Sequence, residues 1–536
     1  MFGPTNSLAN EYQQLCPAAL IERAVLCGEG ELTNLGALVV TSDAYTEKTP
    51  ANRFIVEEPS TREALEWSQA NQTFTSRQFD DLWSGVSNYL ADRDAYSTDL
   101  HVGQDLEYYL PIHLKTETAW HNLVGQTLYS RPSTYNPKNK EVWSILHAAH
   151  FECDPVRDGT QGKGAVIIHF GRRKILLAGL LCAGEIKKAL LTVQNFLLPE
   201  KDVLPLHCAA NIGSDGAVCL FLGASGAGKT ILSLDSSRAL IGDDEHAWGK
   251  DTLFNLENGC YAKCLNLSEV NDPEISQAIR FGALIENVVI DPTSHLPDFA
   301  NTRLTHNSRA CYPLSHINHR FRAITAPEPT MVIMLVHDLS GLLPIVAQLS
   351  HEAATYHFLT GYSNRLDRIP QSPDRAEAAG AEVEDKIVPV FSPCFCAPCL
   401  PRPATLYADL FLQRLKAQGA QVYLVNTGWY GGPANEGGEP ISRMQTRRVI
   451  SAIHQGEILA ADATDLQPLN LTIPSRLEGI DSALLDPRRA WPSVSAYEQA
   501  ANRLAALFVE NFKQYSVDDI IINAGPRGPA KPSRAL

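Results

Sequence analysis

Residues 223–230 read Gly-Ala-Ser-Gly-Ala-Gly-Lys-Thr, a spacing suited to holding a polyphosphate. Gly223, Gly226 and Gly228 let the backbone turn its N–H groups around phosphate oxygens. Lys229 would reach the terminal phosphates, and Thr230 would offer its hydroxyl to a magnesium ion on the same phosphates. A glycine-rich turn with an incidental Lys-Thr is the plainer alternative. Against it, the apolar run 218–222 enters the loop as a strand would, and a helix-forming sequence leaves it, so the positive end of that helix would face the phosphates. Downstream, Asp243 and Asp244 close the apolar run Leu240-Ile241-Gly242. Neighbouring strand residues point to opposite faces, so one carboxylate can face a nucleotide metal while the other turns to backbone or water. A plain turn after a strand competes with that reading; behind a phosphate loop, the metal reading is preferred.

Composition bounds the class of protein that can carry these groups. The 536 residues suffice for several domains or one large two-lobed enzyme, and 44% hydrophobic with 20% charged residues describes a chain able to bury a large core. A net charge of −15, from 45 basic and 60 acidic residues, argues against nonspecific binding to nucleic acid or to an anionic membrane. A small anionic substrate is compatible with it, because a local field can oppose the net charge. No apolar run reaches transmembrane length, and Met1-Phe2-Gly3-Pro4 opens a polar segment without a basic and apolar leader. A cytoplasmic protein is expected, its twelve cysteines, among them Cys208, Cys219 and Cys260, being reduced thiols.

The elements that must position the loop follow from periodicity. Residues 32–40 and 53–56 read as strands, 76–93, 116–128 and 185–197 as helices, and 165–170 with 174–181 as a hairpin turning at Gly-Arg-Arg. Pro199 and Pro205 bracket a charged connection, which puts a lobe boundary near 200. Beyond it, strands are expected around Cys219, Leu240 and 331–336, and helices around Leu232, Ala408 and Ala500. The polar stretch 363–390 reads as an exposed mobile excursion, and 526–536 as a disordered tail.

An ordered series of motifs extends the loop into a resemblance. Leu-Pro-Leu-His-Cys-Ala-Ala-Asn (204–211), the loop itself, Leu-Ile-Gly-Asp-Asp-Glu-His-Ala-Trp (240–248), Gly-Cys-Tyr-Ala-Lys (259–263), Leu-Ile-Glu-Asn-Val (284–288), Asn-Ser-Arg-Ala-Cys-Tyr-Pro (307–313), Tyr-His-Phe-Leu-Thr-Gly (356–361) and Leu-Val-Asn-Thr-Gly-Trp (424–429) together resemble the ATP-dependent phosphoenolpyruvate carboxykinases. The likeness covers roughly residues 30–515. It implies an α/β, two-lobed fold: an N-terminal substrate lobe over 1–200, a P-loop mononucleotide-binding lobe over 201–525 with a lid near 361–391, and the active site in the cleft between the lobes. The implied reaction converts oxaloacetate and ATP into phosphoenolpyruvate, ADP and carbon dioxide. The implied cofactors are one manganese ion at a protein site and one magnesium ion carried with ATP. A small-molecule acid and a nucleotide are the expected partners, with the chain a monomer or small homo-oligomer.

Residue by residue, the resemblance makes Lys188, His207 and Asp244 ligands of the protein-bound metal. Lys188 would have to be a neutral amine, its pKa depressed by burial and a dication; read alone, it is a solvated helix charge beside Lys187, and His207 a hydrogen-bonded core histidine. Arg309 would hold the phosphoryl group in flight, its guanidinium fork matching a charge spread over three oxygens. Ser225, Ile231, Glu286 and Thr446 join the loop residues in the nucleotide-contacting set. Lys48 and Cys182 occupy the acid-substrate positions, where the family usually carries an arginine and a tyrosine. A point charge cannot copy a bidentate carboxylate grip, and Cys182 removes a ring and a hydroxyl. Further departures are a longer excursion after Gly361 and the run 434–444 in place of a Gly-Lys-Arg-Met stretch, with Arg443 available only after a shift. Two readings therefore stand beside the carboxykinase: a small-molecule kinase acting on another acceptor without decarboxylation, and an inactive nucleotide-binding sensor. Cys394, Cys396 and Cys399 have metal-like spacing but no evident fourth ligand, and are expected to be structural.

Overall fold

The computed structural model describes residues 9–42, 52–370 and 383–528. Contacts divide the chain into two units. The first takes residues up to Pro205 together with Leu234–Ala326 and Pro398–Pro403; the second takes Leu206–Ser233, Pro327–Ala397 and the chain from Ala404 onward. The first break thus falls five residues after position 200, and the stretch carrying Asp243, Asp244, Glu286 and Arg309 returns to the first unit. Both units are mixed α/β.

In the first unit an eight-stranded sheet runs in the order Glu11–Gln13, Ala95–Val102, Leu110–Thr116, Trp143–Ala148, Lys174–Ala178, Ala165–His169, Arg53–Val56 and Gln72–Phe74. Its central strands are nearly continuous apolar runs because helices cover both faces. The hairpin expected around Gly-Arg-Arg is present, pairing Lys174 with His169 through Ala178 with Ala165. The helix Ser76–Ala91 starts where the Thr75 side chain accepts from the Gln78 N–H, and Phe79, Leu82, Val86 and Leu90 form its buried stripe. The helix Gly184–Leu197 lies buried along most of its length, and its first turns carry Lys187 and Lys188.

A five-stranded sheet in the same unit places Gly259–Lys263 beside Arg309–Pro313, then Leu284–Glu286, Leu38–Val40 and Gly30–Leu32. The single strand expected over 32–40 is in fact two antiparallel strands. Gly36 N–H bonds to Thr33 O and Thr33 N–H to Ala37 O, and that turn interrupts the run.

The second unit has a sheet ordered Leu204–Ile212, Val218–Gly223, Met331–Val336, Gln421–Asn426, Val346–Leu349, Leu471–Pro474 and Ala463–Leu466. Val218–Gly223, Met331–Val336 and Gln421–Asn426 run parallel. Phe221, Ile333, Tyr423 and Val425 on that sheet pack against Val449, Ile450 and Ile453 of the helix Arg443–His454. The expected excursion after Gly361 is a paired β-ribbon, Tyr362–Pro370 against Val383–Phe391, because its main chain is hydrogen-bonded over nine residue pairs. Residues 371–382 lie outside the described residues, as do Lys48 and positions 529–536 of the expected tail. No helix among the described residues is long and apolar enough to cross a membrane. All twelve cysteines are free thiols.

Candidate active site

The loop 223–230 sits where its sequence requires, between the strand Val218–Gly223 and the helix Lys229–Ser233. That helix has five residues, shorter than its sequence promises, because Asp235 ends it: the Asp235 carboxylate accepts from Ser237 N–H at 2.7 Å and closes a turn. Lys229 is 6% exposed and donates to Gly223 O at 2.9 Å, with His207 Nε2 at 3.1 Å. An ammonium has no lone pair, so His207 must accept at Nε2. His207 comes from the neighbouring strand, where Cys208 pairs with Leu222.

Three further contacts in this unit fix the loop. Thr427 Oγ1 donates to Ala227 O at 3.0 Å, Arg447 to Ile231 O at 3.3 Å, and Asn211 to Ser233 O at 2.9 Å. Ser225 and Gly226 are exposed, and Thr230 is half-buried. Gly226 and Gly228 adopt φ of +87° and +102°. Thr446 is buried in the helix Arg443–His454, its hydroxyl donating back to Ser442 O at 3.2 Å.

In the first unit, Asp243 and Asp244 lie in the bend between strands Ala239–Gly242 and Glu245–Gly249 rather than on a strand. Strand alternation therefore does not separate them; burial does, Asp243 being 2% exposed while the Asp244 side chain keeps 18%. Lys187 Nζ lies 2.7 Å from Asp244 Oδ2, 3.0 Å from Glu257 Oε2 and 3.5 Å from Glu245 Oε1, so one ammonium faces three carboxylates. Burial alone would lower the Lys187 pKa, but Asp244, Glu257 and Glu245 together hold it well above the usual lysine value. Burial is also the main cause that pushes the Glu257 carboxyl to about 7, against the pull of Lys187, and Glu245 is raised well above the carboxylate range by burial and by Glu257.

Lys188 behaves differently from the expectation of a depressed amine. Burial does pull its pKa down, yet Glu185, 2.8 Å from Nζ, outweighs it and raises the pKa, so the ammonium form is the one held. Ligation by the amine requires that proton to leave.

Arg309 opens the strand Arg309–Pro313, in register with Lys263 on one side and Glu286 on the other. Its guanidinium carbon is 5.9 Å from the centre of the Tyr261 ring. Glu286 is 2% exposed and receives Tyr261 Oη at 2.6 Å and Ser42 Oγ at 2.9 Å, so its carboxylate is occupied by two hydroxyl donors. Burial raises its pKa, and those donors and Arg309 oppose the rise. Cys182 Sγ and the Tyr261 ring converge on Gly184, where a Cβ would stand 3.5 Å and 3.4 Å from them. Burial, then Glu286 and Glu185, pushes the Cys182 thiol up to about 12, which keeps it protonated and poorly nucleophilic.

A family profile described as Phosphoenolpyruvate carboxykinase matches residues 9–483. The chain is 40% identical over 520 residues to phosphoenolpyruvate carboxykinase (ATP) of Geobacillus kaustophilus, covering 96% of each chain. It is 40% identical over 518 residues to that of Bacillus subtilis, again over 96% of each. Phosphoenolpyruvate carboxykinase (ATP) 2 of Moorella thermoacetica is 40% identical over 519 residues, with 96% of both chains covered. The chain belongs to the ATP-dependent phosphoenolpyruvate carboxykinase family.

This carboxykinase family uses ATP and a divalent metal, and the donors here suit one electrostatically. In the first unit Asp244 keeps a partly exposed carboxylate; in the second, the His207 Nε2 lone pair is held by Lys229, so metal binding there requires Lys229 to release it. Among the described residues no group of three or more His, Cys, Asp or Glu could hold a metal by itself, Cys394, Cys396 and Cys399 included. Of the residues expected at the carboxykinase site, Lys188, Asp244, Glu286, Arg309 and Cys182 fall in the first unit, and His207, the loop, Ile231 and Thr446 in the second. Sequence reasoning gave no role to Lys187, Glu257, Tyr261 or Thr427. Tyr261 and Thr427 stand inside quoted family motifs, which was the available signal; nothing local to Glu257 marks it.

Proposed function

We propose that this chain catalyses the ATP-dependent conversion of oxaloacetate into phosphoenolpyruvate, ADP and carbon dioxide. The full-length likeness to enzymes of that name carries the reading, and the anchorage of Lys229 to Gly223 O supports it. Lys229 orients and neutralises the transferring phosphoryl group from a fixed point, and Arg309 takes its equatorial charge. Asp244, Lys188 after loss of its proton, and His207 once Lys229 releases its Nε2, are the proposed donors for a protein-bound divalent ion, manganese by preference. Thr230 is the proposed contact for magnesium carried with ATP. When bound, the two ions neutralise the phosphates and polarise the acid's oxygens. Lys187 donates to Asp244 Oδ2 and orients it. Lys48 would attract the substrate carboxylate as a point charge. The test is a coupled assay with manganese, magnesium, ATP and oxaloacetate. Robust phosphoenolpyruvate formation that falls on the order of a thousandfold in Lys229→Ala, with an unchanged melting midpoint, is expected. Failure of the wild type to form product despite calorimetric ATP binding would reject the reading.

Cys182 favours a second reading, phosphorylation of a different small acceptor. A protonated thiol offers the acid neither a ring nor a phenolic donor. Oxaloacetate formation from phosphoenolpyruvate, ADP and bicarbonate separates the two: the carboxykinase performs it, and a kinase without decarboxylation does not.

A further inference from the structure

Two buried imidazoles hold the connection that carries Cys182. In the first unit the strand Lys174–Ala178 stops pairing at Ala178, opposite Ala148, and the chain crosses 179–183 before entering the helix Gly184–Leu197. Carbonyls in that crossing have left the sheet, and a buried carbonyl must find its donor elsewhere. His147 Nε2 lies 2.9 Å from Leu180 O, and His121 Nε2 lies 2.9 Å from Leu181 O. His147 comes from the strand Trp143–Ala148 and His121 from the helix Ala119–Leu128; both are fully buried, with ring centres 4.1 Å apart. Burial holds both imidazoles neutral, so each has one N–H. A carbonyl can only accept, which puts that proton on Nε2 in both rings.

The surroundings of His121 are arranged for this task. Thr118 is the N-cap of the helix Ala119–Leu128, a position where a threonine hydroxyl ordinarily accepts from the first turn. Here the Glu29 carboxylate takes the N–H groups of Ala119 and Trp120 at 3.1 and 3.0 Å, and the Thr118 hydroxyl lies 2.5 Å from His121 Nδ1. With the proton on Nε2, Nδ1 has the lone pair, so the hydroxyl donates and locks the tautomer that serves Leu181 O. Further along the crossing, Ala183 N–H donates to Glu286, and the N–H groups of Glu185 and Ile186 reach Cys182 O and Ala183 O at 3.2 and 3.1 Å. Each carbonyl from Leu180 to Ala183 is therefore held, the first two by imidazoles.

We propose that His121 and His147 are positioning residues for the acid subsite: by holding Leu181 O and Leu180 O they fix where the Cys182 side chain stands. The inference rests on the carboxykinase reading, which puts Cys182 on the acid-substrate side. Beyond Ala183 the helix is anchored by its own buried length, so loss of an imidazole N–H frees the crossing rather than Lys187 or Lys188. The acid then loses affinity, whereas the phosphate loop, in the second unit, is untouched.

Steady-state kinetics of the full chain with manganese, magnesium, ATP and oxaloacetate test this. His121→Leu and His147→Leu remove the N–H, and each is expected to raise KM for oxaloacetate about tenfold with KM for ATP within about twofold. His147→Gln returns an amide N–H at the reach of Nε2 and should bring KM for oxaloacetate to within about threefold of the wild type. Thr118→Val keeps both rings and the Glu29 cap, so folding is retained, and should raise that KM about threefold. A purely structural role lowers the folded fraction, and with it kcat, but leaves both KM values where they were. That result overturns the proposal, as does a glutamine variant no better than the leucine one. Should a leucine variant not fold, Thr118→Val and His147→Gln decide alone: an unaltered KM for oxaloacetate in the first, or an equal rise in both KM values in either, overturns the proposal. A wild type that forms no phosphoenolpyruvate rejects the carboxykinase reading and this inference with it. An active wild type with unshifted variants rejects the inference alone.

Discussion

At the scale of single residues, charge count decides which changes matter. Lys187 contacts Asp244, Glu245 and Glu257 with one ammonium. Removing it leaves uncompensated buried charge, and Lys187→Met is expected to cost about 3–5 kcal/mol in urea unfolding. Glu257→Gln replaces a carboxyl already near 7 by a neutral amide of the same shape, and is expected to cost less, about 1 kcal/mol. Equal costs for the two substitutions would mean that the cluster is not held by the Lys187 ammonium. Of this arrangement the sequence displayed Asp244 and a Lys-Lys pair, but not which lysine faces the carboxylate. Successive helical residues are rotated by about 100°, and whether Lys187 or Lys188 turns inward depends on the helix's buried face, which only packing sets. Glu185 was equally silent: three residues before Lys188, it looks like ordinary helix surface until the structure shows it fully buried.

Elements with strong local signals were legible, and those decided by pairing were not. The strand, loop and helix around Lys229, the hairpin at Gly-Arg-Arg and the helix Ser76–Ala91 follow from periodicity and turn chemistry that neighbours have no need to override. The β-ribbon after Gly361 reads as an excursion in sequence because 363–390 is polar, Pro-containing and rich in Arg, Asp, Glu and Ala; its order comes from main-chain pairing that composition cannot reveal. Gly361 joins that ribbon to the helix His351–Thr360. It closes the helix at φ +50°, and an added Cβ would lie 1.7 Å from Ser392 O, a backbone atom that cannot move aside cheaply. Gly361→Ala is therefore expected to destabilise by on the order of 3 kcal/mol or more. The urea midpoint should drop, and proteolysis should begin within the ribbon. An unshifted midpoint would mean that the helix end tolerates a side chain there.

For the whole molecule, the chain passes between its two units after Pro205, Ser233, Ala326, Ala397 and Pro403. A single boundary near 200 was all that local composition could suggest, since membership of a unit is a property of contacts distant in sequence. With five crossings, each unit is assembled from several separate segments of the sequence. Each unit contains a buried imidazole that resists protonation. Burial holds His147 in the first unit and His357 in the second at about 4, far below the ordinary histidine value. A histidine depressed in the folded state and near 6.5 when unfolded adds stability that is complete above 6.5 and lost as pH falls toward 4. Between pH 7 and pH 5 each imidazole then removes about 2 kcal/mol. His357, packed edge-on at 5.8 Å against Phe508, has burial as the sole cause of its shift, which makes it the cleaner test. Whatever His357→Gln costs at pH 7, its further loss on going to pH 5 should be smaller than the wild type's by about 2 kcal/mol. His147→Gln should flatten the same limb by a comparable amount. Identical pH slopes in wild type and both variants would show that these two imidazoles can take up a proton without leaving the fold.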